Sequence, residues 1–236
     1  MMTTHDQPEP QVQHDVAAEK LVSSTSSKNN GTQLMPMTAR GEATRRRILD
    51  AAEEVFGEFG YYEASISEIT RRAGIAQGTF YIYFRSKHEV FAEVVEDIGK
   101  RLRAATRAAI AEAPDRLEAE RRGFAAFFEF VAAHHRIYQI VQEAERIAPE
   151  AAYSYYRGIS QGYERALRAA MEAGTIRPMN PEAVTYALMG IGHFVALRWI
   201  VWPQQDSESS ESTAGLPDEI FASVMDFIAH GLARRS

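Results

Sequence analysis

Apolar residues recur along this chain with helical spacing from about Thr38 onward. Ile48, Ala52, Val55, Phe56 and Phe59 stand at i, i+4, i+7, i+8 and i+11, one face of a helix, and Gly60 reads as its end. Ser65-Ile66-Ser67-Glu68 has the spacing of a capping box, with Ser65 as N-cap, so a second helix opens there and runs to about Ala73. Gly74 supplies a turn, and a short third helix is expected from about Gln77 to Phe84. Ser86-Lys87-His88-Glu89 repeats the capping-box spacing and opens a long helix to about Thr106.

The period continues downstream. Phe124, Phe127, Phe128 and Val131 form one stripe. Pro149 suits a first helical turn, and Tyr156, Ile159, Tyr163, Leu167 and Ala170 then line one face that Gly174 closes. Asn180-Pro181-Glu182 is an N-cap, N1, N2 start for an apolar helix ending near Trp202, with Pro203 as its stop. Pro217 begins a last helix, with Ile220, Val224, Phe227, Ile228 and Leu232 inward. No strand pattern or internal repeat interrupts this, so the expected fold is all-α with about nine helices.

Composition changes the picture in three places. Residues 1–37 are rich in Gln, Ser, Thr, Asn and Pro and carry no apolar run, so they read as a disordered tail and not as a signal peptide. There is no cysteine, which removes disulfides and thiolate metal sites and fits a cytoplasmic protein. The net charge of −6 argues against nucleic acid only until its distribution is read. The stretch 40–107 is near neutral, and its basic residues cluster as Arg45-Arg46-Arg47, Arg71-Arg72 and Arg85-Ser86-Lys87, enough for a local phosphate-facing surface. The apolar stretch Tyr186–Trp202 is at the short limit for a membrane span and contains His193 and Arg198, so it reads as a buried helix and no membrane partner is expected.

Three helices within roughly 45 residues, the second and third joined by a short glycine-containing turn, form the pattern of a helix-turn-helix. Entry into a DNA major groove needs a short helix braced by a core. Ile66, Ile69, Ala73, Ile75 and Phe80 would brace it; Gln77, Thr79, Tyr81 and Tyr83 would supply polar groups, and Lys87 follows for phosphate. Arg45 is the candidate phosphate contact from the first basic cluster. The domains expected are a tail at 1–37, a helix-turn-helix DNA-binding domain at 38–88, and a helical ligand-binding and dimerisation domain at 89–236.

At these residues the chain resembles the tetracycline-repressor (TetR) family. Arg47-Ile48-Leu49-Asp50-Ala51-Ala52, Phe56 and Phe59-Gly60-Tyr61 are similar to that family's first helix. Ile66, Ser67, Glu68-Ile69, Arg72-Ala73-Gly74-Ile75 and the run Gly78-Thr79-Phe80-Tyr81-Ile82-Tyr83-Phe84-Arg85-Ser86-Lys87 match the rest. The resemblance implies a homodimer on double-stranded, palindromic operator DNA, released when a small-molecule effector binds the C-terminal core. Carried over by position, Ser65, Tyr83 and Lys87 look like phosphate contacts, and Gln77, Gly78, Thr79 and Tyr81 like the groove-facing set. Ala76 departs from the pattern, since its methyl cannot cap the third helix as a Ser or Thr would. The resemblance also places the dimer interface on the last two helices, about 181–202 and 217–233.

The C-terminal region is rich in aromatic residues, as ligand pockets are. Candidate ligand residues are Phe127, His134, Tyr138, Tyr156, Tyr163, His193, Phe194 and Arg198. Arg198 in an apolar helix needs an anionic partner: Glu143, Glu145, a carboxylate across a dimer interface, or an acidic ligand. Tyr155-Tyr156 and the Gly190–Trp202 stretch resemble regulators of fatty-acid and aromatic-acid catabolism, which suggests an acyl-CoA or an aromatic or fatty acid. No cofactor and no metal is expected; His134 and His135 are adjacent and point about 100° apart on a helix. No motif of an enzyme is present: His-Glu-x-x-His, Gly-x-Ser-x-Gly and a glycine-rich phosphate loop are all absent. Two alternatives stand beside the sensor reading: a DNA-binding regulator controlled by a protein partner, and an activator. In the sensor reading, ligand would swing the long helix from Ser86 and change the spacing of the two recognition helices.

Overall fold

The computed structural model describes residues 38–203 and 215–233; the side chain of His135 and the expected tail at 1–37 lie outside them, as does most of the acidic stretch at 204–215. Nine helices run in order among the described residues: α1 Ala39–Glu63, α2 Ile66–Ala73, α3 Gln77–Tyr83, α4 Lys87–Ile110, α5 Arg116–Ala133, α6 His135–Ile147, α7 Pro149–Glu172, α8 Pro181–Ala196 continuing as a π turn over Leu197–Val201, and α9 Asp218–Leu232. No strand occurs among them.

Most helix starts follow from side-chain caps. Thr38, Ser65, Ser86, Asp115 and Asn180 each accept a backbone N–H three residues on. The two capping boxes are half formed. Glu68 N–H donates to Ser65 Oγ at 3.1 Å, but the Glu68 carboxylate is taken by Arg71 and Arg72. Glu89 N–H donates to Ser86 Oγ at 3.1 Å, while its Oε2 accepts the Arg85 N–H at 2.6 Å, one residue before the cap.

Two features go beyond the sequence reading. The first helix leaves helical geometry at Gly60 as read (φ 71°, ψ 170°), but one separate turn follows to Glu63 before α2. The Gly60 conformation is open essentially to glycine alone. The second feature is a break at His134, which closes α5 and opens α6 in one residue with no side-chain cap.

The core is continuous over the expected boundary at 88/89. One cluster joins Ile48, Val55 and Phe56 of α1, Ile69 of α2, Phe80 and Phe84 around α3, and Val90 to Leu102 of α4 to Ile137, Ile140 and Val141 of α6 and Tyr155 of α7. A second cluster gathers Phe124 and Phe128 of α5, Leu167 of α7, Leu188 to Val201 of α8, and Ile228 and Leu232 of α9. Helix α8 is long and apolar enough to cross a membrane, but its face with Leu188, Gly192, Ala196 and Ile200 is packed inside this second cluster. It is a core helix with one face left outward.

Candidate nucleic-acid interface

Helix α2 buries Ile69 and Ala73 and ends at Gly74, whose left-handed backbone (φ 64°, ψ 39°) turns the chain into α3. Helix α3 is anchored by Phe80, wholly buried, and by Phe84 just beyond its end. Its opposite side faces solvent: Gln77 and Gly78 are exposed, Tyr81 is 51% exposed and Ile82 77%. A Cβ on Gly78 would meet nothing within 4 Å, so the backbone there is open to a close approach. Thr79 and Tyr83 are half-buried. Ala76 gives α3 no side-chain cap, as its methyl dictates. The arrangement is a rigid short helix with a polar and apolar outer edge, suited to reading base edges. The sequence pattern gives Ile82 no role of its own; its exposure alone puts it on this edge.

The cations are distributed differently from the sequence expectation. Arg45 pairs with Glu93 and stacks over Phe84 at 5.3 Å, so it is engaged inside the protein. Arg46 lies between Asp50 and Asp97, at 2.6 and 2.8 Å. Arg71 and Arg72 hold Glu68, and Arg72 also holds Glu58 at 2.7 Å. Those two guanidinium groups keep the Glu68 carboxyl down at about 2. Arg47 is exposed with only a 3.4 Å contact to Thr44, and the exposed Arg85 guanidinium has no hydrogen bond or ion pair among the described residues. These two, with Arg40 at the start of α1, which is also exposed and without an ion pair among the described residues, are freer than Arg45.

Lys87 has a different task from the one expected of it. Its ammonium donates to the carbonyl oxygens of Tyr61 at 2.8 Å, Tyr62 at 3.1 Å and Ala64 at 2.8 Å, and lies 4.6 Å from the Tyr61 ring centre. Three protons meet three acceptors, so none is left for a phosphate. The last turn of α1 contains no basic residue, and Lys87 supplies the missing cation from the start of α4. Ser65 keeps both tasks open: its oxygen caps α2, and its hydroxyl proton is exposed.

Behind this surface lies a small cavity walled by Ile98 and Leu102 of α4, Phe127, Phe130 and Val131 of α5, His134 at the α5–α6 break, Ile137, Tyr138 and Val141 of α6, and Tyr155 of α7. Its free volume of about 10 Å³ is room for about one water. Burial lowers the His134 pKa, with the Arg101 charge adding to it, and desolvation raises that of Tyr138. The cavity is therefore neutral and mostly apolar.

Of the eight candidate ligand residues, Phe127, His134 and Tyr138 line this cavity. His193 stands behind it, with Nδ1 on the Tyr138 hydroxyl. Tyr156 faces away and donates to Glu145 at 3.0 Å. Tyr163 donates to Glu120, which is 2% exposed and also holds Arg116, a buried charged group that the sequence reading missed although Arg116 and Glu120 have i, i+4 spacing. Phe194 and Arg198 are corrections. Phe194 is 66% exposed, and Arg198 is exposed with its guanidinium 5.6 Å from the Trp199 ring centre. An apolar helix buried on one face only leaves such residues in solvent, where a guanidinium needs no anion.

Residues 48–94 match the family described as bacterial regulatory proteins, tetR family. An uncharacterized HTH-type transcriptional regulator of Bacillus subtilis, YdgC, is 40% identical over 76 residues, 32% of this chain, and the chain spans 39% of that relative's length. The HTH-type transcriptional repressor KstR2 of Mycobacterium tuberculosis is 28% identical over 67% of this chain and 83% of its own. Among solved structures, the transcriptional regulator FadR of Bacillus subtilis in complex with stearoyl-CoA superposes with a TM-score of 0.66 at 20% identity, covering 79% of this chain and 98% of that one. At that identity the likeness is one of fold.

Proposed function

The chain belongs to the tetR family of bacterial regulatory proteins, and on that premise we propose that it is a cytoplasmic repressor that holds a palindromic operator as a homodimer and lets go when an acyl-CoA or a carboxylate enters its C-terminal core. The observation that carries this is α3: a helix locked by Phe80 and Phe84 whose outer edge offers Gln77, Gly78, Tyr81 and Ile82 to a groove. Arg47 and Arg85 supply phosphate contacts, with the Ser65 hydroxyl and Tyr83 beside them. Base contacts then come from α3 and affinity from the arginines.

The second copy is expected on α8 and α9. Tyr186 (51% exposed), Phe194 (66%), Trp202 (45%) and Phe227 (71%) leave these helices with large apolar groups in solvent. Apolar surface of this kind is what a partner face covers. The effector class rests on the neutral, aromatic cavity and on the stearoyl-CoA complex of FadR, a protein of the same fold. Because the cavity has only about 10 Å³ of free volume, an effector must enlarge it, and control by a protein partner is the reading left if none can.

A mobility shift on the DNA upstream of the coding region, with and without stearoyl-CoA, tests the proposal. A shift that stearoyl-CoA abolishes supports both halves. A shift indifferent to it and to free fatty and aromatic acids removes the ligand half and leaves the protein-partner reading.

A further inference from the structure

Helix α6 has two occupied sides. Ile137, Tyr138 and Val141 border the cavity. Arg136 and Glu143, seven residues apart and so on one face, lie on the opposite side and meet α1. Glu143 Oε2 accepts the backbone N–H of Tyr61 at 2.9 Å. Its Oε1 stands 3.0 Å from where a Cβ on Gly60 would be, so the backbone angle demands glycine there and any side chain would crowd this carboxylate. Glu143 has no ion pair among the described residues; this carboxylate is committed to a backbone amide 82 residues away in sequence.

We infer that Glu143 is the positioning residue through which the cavity sets the placement of the helix-turn-helix. The segment from Gly60 to Ser65 is short and held on two sides. Glu143 takes the Tyr61 N–H; Lys87 takes the Tyr61 and Ala64 carbonyls. The next residue, Ser65, is the N-cap of α2. A shift of α6 therefore reaches the start of the helix-turn-helix through six residues of chain, with no long lever.

The walls of the cavity differ in how they are tied down. Helix α4 is fastened to α1 by Arg45–Glu93, Arg46–Asp97 and Arg101–Glu53. Helix α6 is fastened to α1 by no ion pair among the described residues; beside the apolar packing of Ile140 and Ala144 in the shared core, its ties are the Glu143 bond and the close seat of Gly57 on Arg136, where an added Cβ would come within 2.9 Å. A cavity of about 10 Å³ admits an occupant only by moving a wall, and of the two cavity helices α4 and α6 that pack on α1, α6 is the one without ion pairs to it among the described residues. The link is thus a coupling between two sites through one named hydrogen bond. Its consequence at DNA rests on the proposed function, but the coupling can be measured without DNA.

The test is amide hydrogen exchange of the full chain, read in peptides covering 60–66. Val141→Phe serves as a built-in occupant on the cavity face of α6. In the wild-type background it should speed exchange there by about five-fold, the effect of losing one such bond. Glu143→Ala should do the same alone, and adding Val141→Phe to it should change the rate by less than about two-fold. Glu143→Gln keeps a carbonyl oxygen for the Tyr61 N–H and should stay within about two-fold of wild type. If Val141→Phe loses helical circular dichroism, Ile137→Phe on the same face replaces it and is read the same way. An occupant that leaves 60–66 unchanged, or acts equally with and without Glu143, overturns the inference; failure to bind DNA bears only on the proposed function.

Discussion

The ammonium of Lys87 lies 2.8 Å from the carbonyl oxygen of Tyr61 and 4.6 Å from the centre of the same residue's ring. One side chain thus closes α1 and fixes the start of α4 against it. Helix ends leave carbonyls without partners, and a cation there satisfies them and the helix dipole together.

Lys87→Ala should therefore act on stability first. It strips a cation from three carbonyls, one of them on buried Ala64, and the expected cost is about 1–3 kcal/mol. Urea denaturation read by helical circular dichroism measures it. A variant as stable as wild type that nevertheless binds DNA with a shallower salt dependence would return Lys87 to the phosphate role.

Much of the fold was legible because its signals are local. Ser65, Ser86 and Asn180 cap within three residues of themselves, and the stripe from Ile48 to Phe56 needs only its own helix to be read. The same holds for α3, where Phe80 bury-and-anchor spacing leaves Gln77 and Tyr81 outward. What escaped depends on partners far along the chain. Lys87 finds its acceptors 23 to 26 residues back, and Arg45 its glutamate 48 residues on. Arg198 was misread for a related reason: apolar neighbours mark a helix as part of a core, but not which of its faces is inside. The break at His134 carries no glycine, proline or capping side chain, so nothing in the local sequence announces it.

The Arg116–Glu120–Tyr163 group offers a second check. Arg116 Nε donates to Glu120 at 2.9 Å, and Tyr163 completes the other oxygen of a carboxylate that is 2% exposed. Removing one partner leaves a buried charge uncompensated, so Arg116→Ala should cost about 3–5 kcal/mol in chemical denaturation. Replacing all three with apolar groups, as Arg116→Met, Glu120→Leu and Tyr163→Phe, should recover most of that. A triple variant as unstable as the single one would mean that packing, not charge, sets the cost.

Acid should loosen α2 through Glu68. Arg71 and Arg72 lower its pKa from 4.5 to about 2, so the folded state binds its proton less readily than the unfolded chain does. The contribution is fully present above pH 4.5 and is lost as pH falls toward 2. Solvent screening keeps it small. Wild type should exceed Glu68→Gln in urea midpoint at pH 6, and the two should converge near pH 2.5. A gap that widens on acidification would have the wrong sign.

The central claim, a dimer reading DNA with α3, is tested most directly by selecting bound duplexes from a random-sequence pool with wild type and with Gln77→Ala. The account predicts that wild type enriches an inverted repeat whose half-sites lie about one helical turn apart or a multiple of it. Gln77→Ala should bind with similar salt dependence but a changed preference at one symmetric position, worth about 1–3 kcal/mol. Enrichment of no sequence, or of one without two-fold symmetry, would contradict it.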